Sequence, residues 1–280
     1  MRTFNEAAKL QRYCDTMRMQ GKKIALIPTM GCLHAGHLSL IAAAKKKGAD
    51  EIVVSIFVNP IQFGPKEDLN KYPRCEKEDI AKCKKAGATA VFLPTPAAMY
   101  MRDHSVYVDE KELGKGLCGA RRPGHFRGVC TVVTKLFNIT RPHFTFFGHK
   151  DFQQATIIRR MVRDLNFDIK VFVEPIVREE SGLALSSRNR YLTEDDRAAA
   201  TCIYRALAAA KKDVKIKKTL MWHPYRTRII RLVRKHRLNV DYVEAVDAET
   251  LQPVTIVKKG VVLLIAAYVN GTRLIDNMEM

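Results

Sequence analysis

The chain is short of acid. It has 29 Asp and Glu against 48 Lys and Arg, a formal net charge of +19 over 280 residues. It also lacks any apolar run of about eighteen residues, the length that would suggest a membrane span. The first residues, "MRTFNEAAKLQRYCDTMRMQGKK", lack the continuous apolar stretch of a secretory leader. They read as an amphipathic helix with Phe4, Ala7, Leu10 and Tyr13 on one face. The seven cysteines (Cys14, Cys32, Cys75, Cys83, Cys118, Cys130 and Cys202) are odd in number and scattered, with no C-x-x-C pair. That excludes a zinc ribbon and points to reduced thiols in a cytoplasmic protein. No Walker A pattern, internal repeat or low-complexity segment occurs.

The excess of positive charge is concentrated. From Arg205 to Asp241 there are twelve Lys or Arg and two acids, Asp213 and Asp241. Within that stretch "YRTRIIRLVRKHRL" puts Ile229, Ile230, Leu232 and Val233 on one helical face among arginines. A nucleic-acid or membrane surface is one reading of such a helix. A solvated basic back on a domain helix is the other, and it is favoured because no RNA-binding or zinc-finger motif accompanies the charge.

Strand and helix patterns alternate along the first part of the chain. Strands are expected at 23–29, 51–58, 88–94, 144–148 and 168–177, with helices at 36–48, 76–87, 127–140 and 151–165. Alternation of this kind predicts an α/β fold, a Rossmann-like parallel sheet with helices on both faces. Ligands of such sheets sit at the carboxyl ends of the strands, so the loops after Ile27, Val58 and Phe147 are expected to converge. After about Leu185 the texture changes. Thr193 and Asp196 resemble a capping box opening a helix. The basic helix follows, and then three strands of antiparallel character. The expected division is therefore 1–184 for the Rossmann-like domain and 185–280 for a smaller, lid-like mixed α+β domain. "GKGLCG" at 114–119 matches G-x-G-x-x-G, but charged residues precede it and a proline follows, so it lacks the strand–helix context of a dinucleotide site.

The richest stretch is "IPTMGCLHAGHLSL", residues 27–40. A strand ends near Pro28 and a helix begins near His37. His34 and His37 thus fall at a helix N-terminus, where unpaired N–H groups and the helix dipole favour an anion. A metal would want a third ligand close by in sequence, and none is evident. H-x-G-H at such a junction resembles the nucleotidyltransferase superfamily, which includes the class I aminoacyl-tRNA synthetases. There the histidines stabilise charge on a triphosphate attacked at the α-phosphorus. A second phosphate-binding element is offered by "LALSSRNRYL", whose Ser186, Ser187 and Arg188 supply hydroxyls and a planar guanidinium. Either serine alone also suits a helix cap or turn.

Taken in order, "PTMGCLHAGHLSL", "FVNPIQF" (57–63), "RRPGHFRGVCTVVTKLFN" (121–138), "FGHKDFQQ" (147–154), "GLALSSRNRYL" (182–192) and "RLIDN" near the end resemble the pantothenate synthetase (pantoate–β-alanine ligase) family over nearly the whole chain. The likeness is weakest from about Lys211 to Leu238. It implies an ATP-dependent condensation of (R)-pantoate with β-alanine through a pantoyl adenylate, releasing AMP and pyrophosphate. It also implies Mg²⁺ accompanying ATP and a homodimer. A different acceptor for an H-x-G-H adenylyl or cytidylyl transfer, or a basic nucleic-acid-binding protein, are the alternatives.

By the same resemblance, ATP lies along Met30, Gly31, Cys32, Leu33, His34, Ala35, Gly36 and His37, with His37 the catalytic proton donor. Gly148, His149, Lys150 and Asp151 match a further ATP segment, Lys150 on phosphate and Asp151 on ribose. Val177 matches an adenine contact, and Leu185, Ser186, Ser187 and Arg188 match the last ATP segment. His34, His37, Lys150 and Arg188 form the catalytic set. Gln62 and Gln154 match the two pantoate glutamines, Gln62 also lying near β-alanine, and Asn59 and Arg122 fall in pocket motifs. Glu78 and Asp79 are candidate acidic partners for Mg²⁺, with a plain helix-surface role equally open. One departure stands out: the family usually has aspartate where this chain has Ser181, a residue that also suits a turn before Gly182.

Overall fold

The computed structural model describes residues 1–65 and 67–280. Its elements in chain order begin with β1 (Arg2–Phe4), α1 (Ala7–Met19), β2 (Ile24–Thr29), α2 (Ala35–Lys46), β3 (Glu51–Ile56) and α3 (Glu76–Ala86). There follow β4 (Ala90–Phe92), α4 (Pro96–Met99), α5 (Leu117–Arg121), α6 (His125–Thr140), β5 (Phe144–Gly148), α7 (Phe152–Asp164) and β6 (Lys170–Glu174). The remainder is α8 (Glu194–Lys217), β7 (Leu220–Met221), α9 (Trp222–Lys235), β8 (Asn239–Asp247), β9 (Ile256–Val257), β10 (Val261–Val269) and β11 (Thr272–Glu279).

Six strands form one parallel sheet in the order β1-β4-β3-β2-β5-β6. Chain order reverses at β2, whose neighbours are β3 on one side and β5 on the other, so the switch point of the sheet lies at β2/β5. Side-chain alternation along β2 explains the two layers of helix. Ala25 and Ile27 join Leu40, Ile41 and Ala44 of α2 and Cys83 of α3 in one apolar cluster. Ile24 and Leu26 are equally buried and point the other way. Glu51 of β3 pairs with Ile24 in register, and its carboxylate accepts from Tyr13 Oη of α1 at 2.5 Å, so α1 covers that second face.

The expected amphipathic N-terminal helix is corrected at its start. Residues Arg2–Phe4 form a strand paired with β4, and the helix begins only at Ala7, burying Leu10, Cys14 and Met17. Three extended residues at the sheet edge satisfy backbone groups that a longer helix would leave facing β4.

The chain divides into two compact units, Met1–His149 with Gln153–Pro175, and Lys150–Phe152 with Ile176–Met280. The division falls at Pro175/Ile176, ahead of the expected 184/185, because the turn-rich stretch 176–192 pairs with itself and with β11. Leu185 N donates to Val177 O at 3.0 Å and Glu179 N to Leu183 O at 2.8 Å. Arg178 grips Asp276 of β11 at 2.7 and 2.9 Å.

The second unit is a three-stranded antiparallel sheet, β11-β10-β8, sharing an apolar cluster with α8 and α9. Small residues let α8 lie close: Ala200, Ala206 and Ala210 are fully or almost fully buried beside Ile203 and Leu207. The capping box of Thr193 and Asp196 is formed as expected. On α9, Ile229 and Val233 are buried while Leu232 is exposed. Leu232 therefore leaves the expected apolar face; at 100° per residue it falls on the shoulder of the helix. The segment 114–119 has no strand before it and its second half already lies in the short α5, so it is not a strand-to-helix turn.

Candidate active site

The loop between β2 and α2 holds two consecutive residues in the left-handed region, Gly31 (φ +85°) and Cys32 (φ +52°). A Cβ on Gly31 would lie 3.0 Å from Ile56 Cγ2 and 3.1 Å from Asp79 Oδ2, so only glycine gives this approach without displacing a neighbour. Cys32 takes the same region at a cost of about 1–2 kcal/mol. What holds it there is Asp79, fully buried on α3. Its two carboxylate oxygens accept from Cys32 N and Leu33 N, both at 2.7 Å. Lys82 Nζ donates to Leu33 O at 3.0 Å. The strained turn is thus fixed by charged side chains from a neighbouring helix.

Glu78 and Asp79, the candidate metal partners, have other contacts in the structure. Both oxygens of Asp79 are taken by backbone N–H groups. Glu78 is an exposed side chain that faces Lys82 Nζ at 3.4 Å. Among the described residues no group of three or more His, Cys, Asp or Glu is arranged to hold a metal.

Two histidines cap α2. His34 Nδ1 accepts from Gly36 N at 3.2 Å, and His37 Nδ1 accepts from His34 N at 3.3 Å. The rings lie 4.1 Å apart, centre to centre. A backbone N–H can only donate, so neither Nδ1 carries a proton, and each neutral ring bears its proton on Nε2. The cap therefore fixes both imidazoles as donors at Nε2, at a helix end that already favours an anion.

At the end of the adjacent β3, a helical turn over Pro60–Gln62 carries Asn59 and Gln62. Asn59 is buried; its Nδ2 donates to Gln62 Oε1 and to Gly128 O, each at 3.1 Å, and its Oδ1 accepts from Tyr100 Oη at 2.9 Å. Gly128 permits this, since a Cβ there would come within 2.7 Å of Gln62 backbone atoms. His125 Nδ1 pairs with Gln62 O at 2.8 Å. A carbonyl can only accept, so that nitrogen holds the proton and Nε2 is the acceptor for Arg122 at 2.9 Å. Arg122 is in turn gripped by both oxygens of Glu67. Burial works to raise the Glu67 pKa, but the hydrogen bonds and charge of Arg122 outweigh it and hold the carboxyl below the ordinary glutamate value. Asn59 therefore bears on the Gln62 side chain directly, and Arg122 on its backbone only through His125. Gln62 Nε2 reaches Met30 Sδ at 2.7 Å. A thioether is a weak acceptor, so a stronger one would displace it.

The two glutamines opening α7 differ sharply. Gln153 is buried and saturated, bonding Cys118 N, Leu113 O and Gly116 O. Gln154 is half-buried, and its side chain bonds no other described residue. Gly148 ends β5, neighbour of β2, and His149 begins the turn His149–Asp151. The loops after β2, β3 and β5 thus leave the same edge of the sheet on adjacent strands, as expected.

Within the second unit, Val177 and Leu185 are backbone partners. Ser186 caps a short helical turn over Ser187–Tyr191, its Oγ accepting from Arg188 N at 3.2 Å. The cap reading of this serine holds, and because Oγ acts there as acceptor its O–H is left to donate. Asn189 fixes the turn from beneath, donating to Ala184 O and Glu179 Oε1, each at 3.1 Å. Arg197 completes the frame, reaching Glu179 Oε1 at 2.8 Å and Asn189 O at 2.7 Å. Ser181 Oγ accepts from Leu183 N at 3.3 Å, which is the turn role open to serine. Asp151 Oδ2 lies 3.3 Å from Lys150 Nζ, and Lys150 O accepts from Asn277 Nδ2 at 2.9 Å. Sequence reading passed over the supports Glu67, Tyr100, Glu179 and Arg197, because each works at a distance along the chain from the motif it holds.

Residues 2–279 match the model of the Pantoate-beta-alanine ligase family. The chain is 49% identical over 282 residues, covering all of both chains, to a pantothenate synthetase of Sulfurihydrogenibium sp. (strain YO3AOP1). Its structure resembles that of the Thermus thermophilus pantothenate synthetase, with a TM-score of 0.90 and 38% identity, covering 100% of this chain and 99% of that one. It also resembles the Francisella tularensis pantoate-beta-alanine ligase complexed with beta-gamma ATP and beta-alanine. There the TM-score is 0.84 and the identity 32%, covering 100% and 97% of the two chains.

Proposed function

This chain belongs to the pantoate–β-alanine ligase family, and from that premise we propose that it makes pantothenate from (R)-pantoate, β-alanine and ATP through a pantoyl adenylate. The observation that carries the reading is the contact between Gln62 and Met30. It brings a pantoate-binding amide against the turn that presents two imidazole donors. A neutral amide can orient pantoate by its hydroxyls and carboxylate without quenching the carboxylate as a nucleophile, which a lysine would do.

In the first half-reaction a pantoate carboxylate oxygen attacks the α-phosphorus. The bond from that phosphorus to the α,β-bridging oxygen breaks, and pyrophosphate departs. Negative charge grows on the α-phosphoryl oxygens and on the leaving group. The Nε2–H donors of His34 and His37, held in place by the backbone, stabilise that charge, as preorganised donors do. His37 is the proton donor. Lys150 and Arg188 supply full positive charge to phosphate oxygens, Ser186 and Ser187 hydroxyl donors, and Asp151 an acceptor for ribose. Met30 through His37, Gly148, His149, Val177 and Leu185 complete the ATP contacts. In the second half-reaction the β-alanine amine attacks the acyl carbon, the acyl–phosphate oxygen bond breaks, and AMP leaves with the mixed anhydride's electron pair. Gln154 joins Gln62 on pantoate.

Mg²⁺ would accompany ATP as a counter-ion to its phosphates, hydrated and without a dedicated protein cage; Asp79 already holds the turn at Cys32 and Leu33. A homodimer in the cytoplasm is the assembly and setting that the resemblance implies. The test is ATP–pyrophosphate exchange together with product analysis. Exchange that requires pantoate, and pantothenate and AMP appearing only when β-alanine is added, are the expected results. Exchange independent of pantoate would assign the fold to a different acceptor.

A further inference from the structure

Cys32 and Cys75 meet at the root of the histidine turn. Their Sγ atoms are 3.1 Å apart, although 43 positions separate them in the chain. The approach is built: Asp79 holds Cys32 by its backbone N–H, and Asp79 N donates to Cys75 O at 2.8 Å. One aspartate therefore fixes both cysteines, one through its carboxylate and one through its amide. Among the described residues no third Cys, His or carboxylate joins this pair as a metal set. The two cysteines also differ in access. Cys75 is half-buried, whereas Cys32 is almost fully covered.

We propose that Cys32 and Cys75 are an oxidative modification site, a dithiol that a small-molecule disulfide converts to a disulfide bridge, slowing the first half-reaction. Cys75, the accessible thiol, attacks as thiolate on one sulfur of the small disulfide and expels one small thiolate. Cys32, after losing its proton to water, attacks Cys75 Sγ in the mixed disulfide and expels the second. One sulfur–sulfur bond has broken and another has formed, apart from the transient mixed one. The protein has lost two protons and two electrons, and the small disulfide has gained those electrons to end as two thiols.

The structural consequence follows from bond length. A disulfide closes the sulfurs to about 2.05 Å, so oxidation pulls the Cys32 side chain by about an ångström toward α3. Cys32 is a strained residue two positions before His34, and displacements of about 1 Å cost up to about a hundredfold in rate where geometry is catalytic. The remaining thiols are poor competitors. Burial pushes Cys14, Cys83 and Cys130 up to about 12 and Cys202 up to about 11, and Cys118 is buried.

The activity effect rests on the ligase reading; the bridge itself does not. Full-length protein is incubated with oxidised glutathione, alkylated, digested and analysed by mass spectrometry, in parallel with pantoate-dependent exchange. The expected result is a linked peptide pair containing Cys32 and Cys75. Exchange should fall about tenfold or more and recover with dithiothreitol. Cys75→Ser should match the parent before treatment and keep its rate afterwards. Absence of the Cys32–Cys75 link in the parent overturns the site. A link with unchanged exchange, or equal loss in Cys75→Ser, overturns its control of the reaction. Reduced protein with no exchange at all would count against the ligase reading while leaving the mass result to decide the bridge.

Discussion

Asn59 donates its side-chain amide to the side-chain carbonyl of Gln62 across 3.1 Å, and it does so from a site that is only 1% exposed. Its other amide proton goes to Gly128 O and its carbonyl to Tyr100 Oη. Asn59 is therefore fixed on three sides, and it fixes the rotamer of Gln62. With Oε1 oriented by Asn59, Nε2 is the end of Gln62 presented toward Met30.

Asn59→Ala should raise KM for pantoate by about 5- to 150-fold, the equivalent of about 1–3 kcal/mol for a broken buried hydrogen bond, with a much smaller change in KM for ATP. Gln62→Ala should do the same. The double variant should lose much less than the product of the two single losses, because the residues act as one unit. Steady-state kinetics of the four proteins checks it; multiplicative losses would separate the two residues.

Asp79→Asn removes the charge that accepts two backbone N–H groups and turns an NH₂ toward one of them. Hydrogen bonds to charged groups contribute about 1.5–3 kcal/mol each, so the turn from Gly31 to His34 should loosen. Amide exchange at Cys32 and Leu33 should quicken by at least about tenfold at that energy, and KM for ATP should rise. The dependence of rate on Mg²⁺ concentration, at fixed Mg–ATP, should be that of the parent. A shifted Mg²⁺ requirement with unchanged amide exchange would restore Asp79 as a metal partner.

Burial works to raise the Glu67 pKa, but the hydrogen bonds and charge of Arg122 outweigh it, so the carboxyl titrates below the ordinary glutamate value. A carboxyl depressed on folding stabilises the protein above its unfolded pKa, and that contribution disappears as pH falls through the folded one. Glu67→Gln should therefore be less stable than the parent near neutral pH. The gap should close as pH falls below the ordinary glutamate value of about 4.3. Urea melts of both proteins across that range measure it. A gap that stays constant with pH would remove the charge of Glu67 from the account.

Much of this was readable in the chain itself, for identifiable reasons. The parallel sheet follows from apolar runs alternating with helical spacing, and β5 falls at the expected residues, 144–148. His34 and His37 are visible because three positions separate them at a strand–helix junction. The supports are invisible for the opposite reason. Glu67 lies 55 positions from Arg122 and Asp79 lies 47 from Cys32, and no local period marks a pair at such separations. Asp79 was ambiguous because an acidic residue in the first turn of a helix reads equally as surface, metal ligand or buried clamp; its complete burial removes the surface role. Phe4 misled because three residues are too few for strand alternation to compete with a helical pattern beside it.

The basic helix α9 gives a negative control. Arg231, Arg234 and Lys235 are exposed, while Ile229 and Val233 of the same helix are buried. The charges thus form the outer face of a helix docked by its apolar side. Changing all three to Glu should leave pantoate-dependent exchange within a few-fold. If the parent binds duplex nucleic acid with a steep salt dependence, about −0.9 in log K per log salt for each phosphate neutralised, and the triple variant does not, this face is an interface.

His34 and His37 should serve the first half-reaction and be largely idle in the second. During adenylation, charge accumulates on α-phosphoryl oxygens and on departing pyrophosphate, where imidazole Nε2–H donors can meet it. During amide formation it accumulates on the acyl carbonyl, and AMP is already an adequate leaving group. Removing one preorganised donor typically costs about 10²–10³ in rate. His37→Ala should lose about that much in single-turnover pyrophosphate release, and His34→Ala somewhat less. Both should convert supplied pantoyl adenylate and β-alanine to pantothenate near the parental rate. Lys150→Ala should follow the same pattern, since the proposed mechanism gives its charge to phosphate as well. The cap adds a further expectation. His37 accepts from His34 N and His34 from Gly36 N, so each substitution also removes a cap worth about 0.5–2 kcal/mol, and melting should register that loss separately from the kinetics. Equal slowing of both half-reactions by His37→Ala, with folding and ATP binding intact, would make His37 a shaper of the pocket and not a phosphate donor.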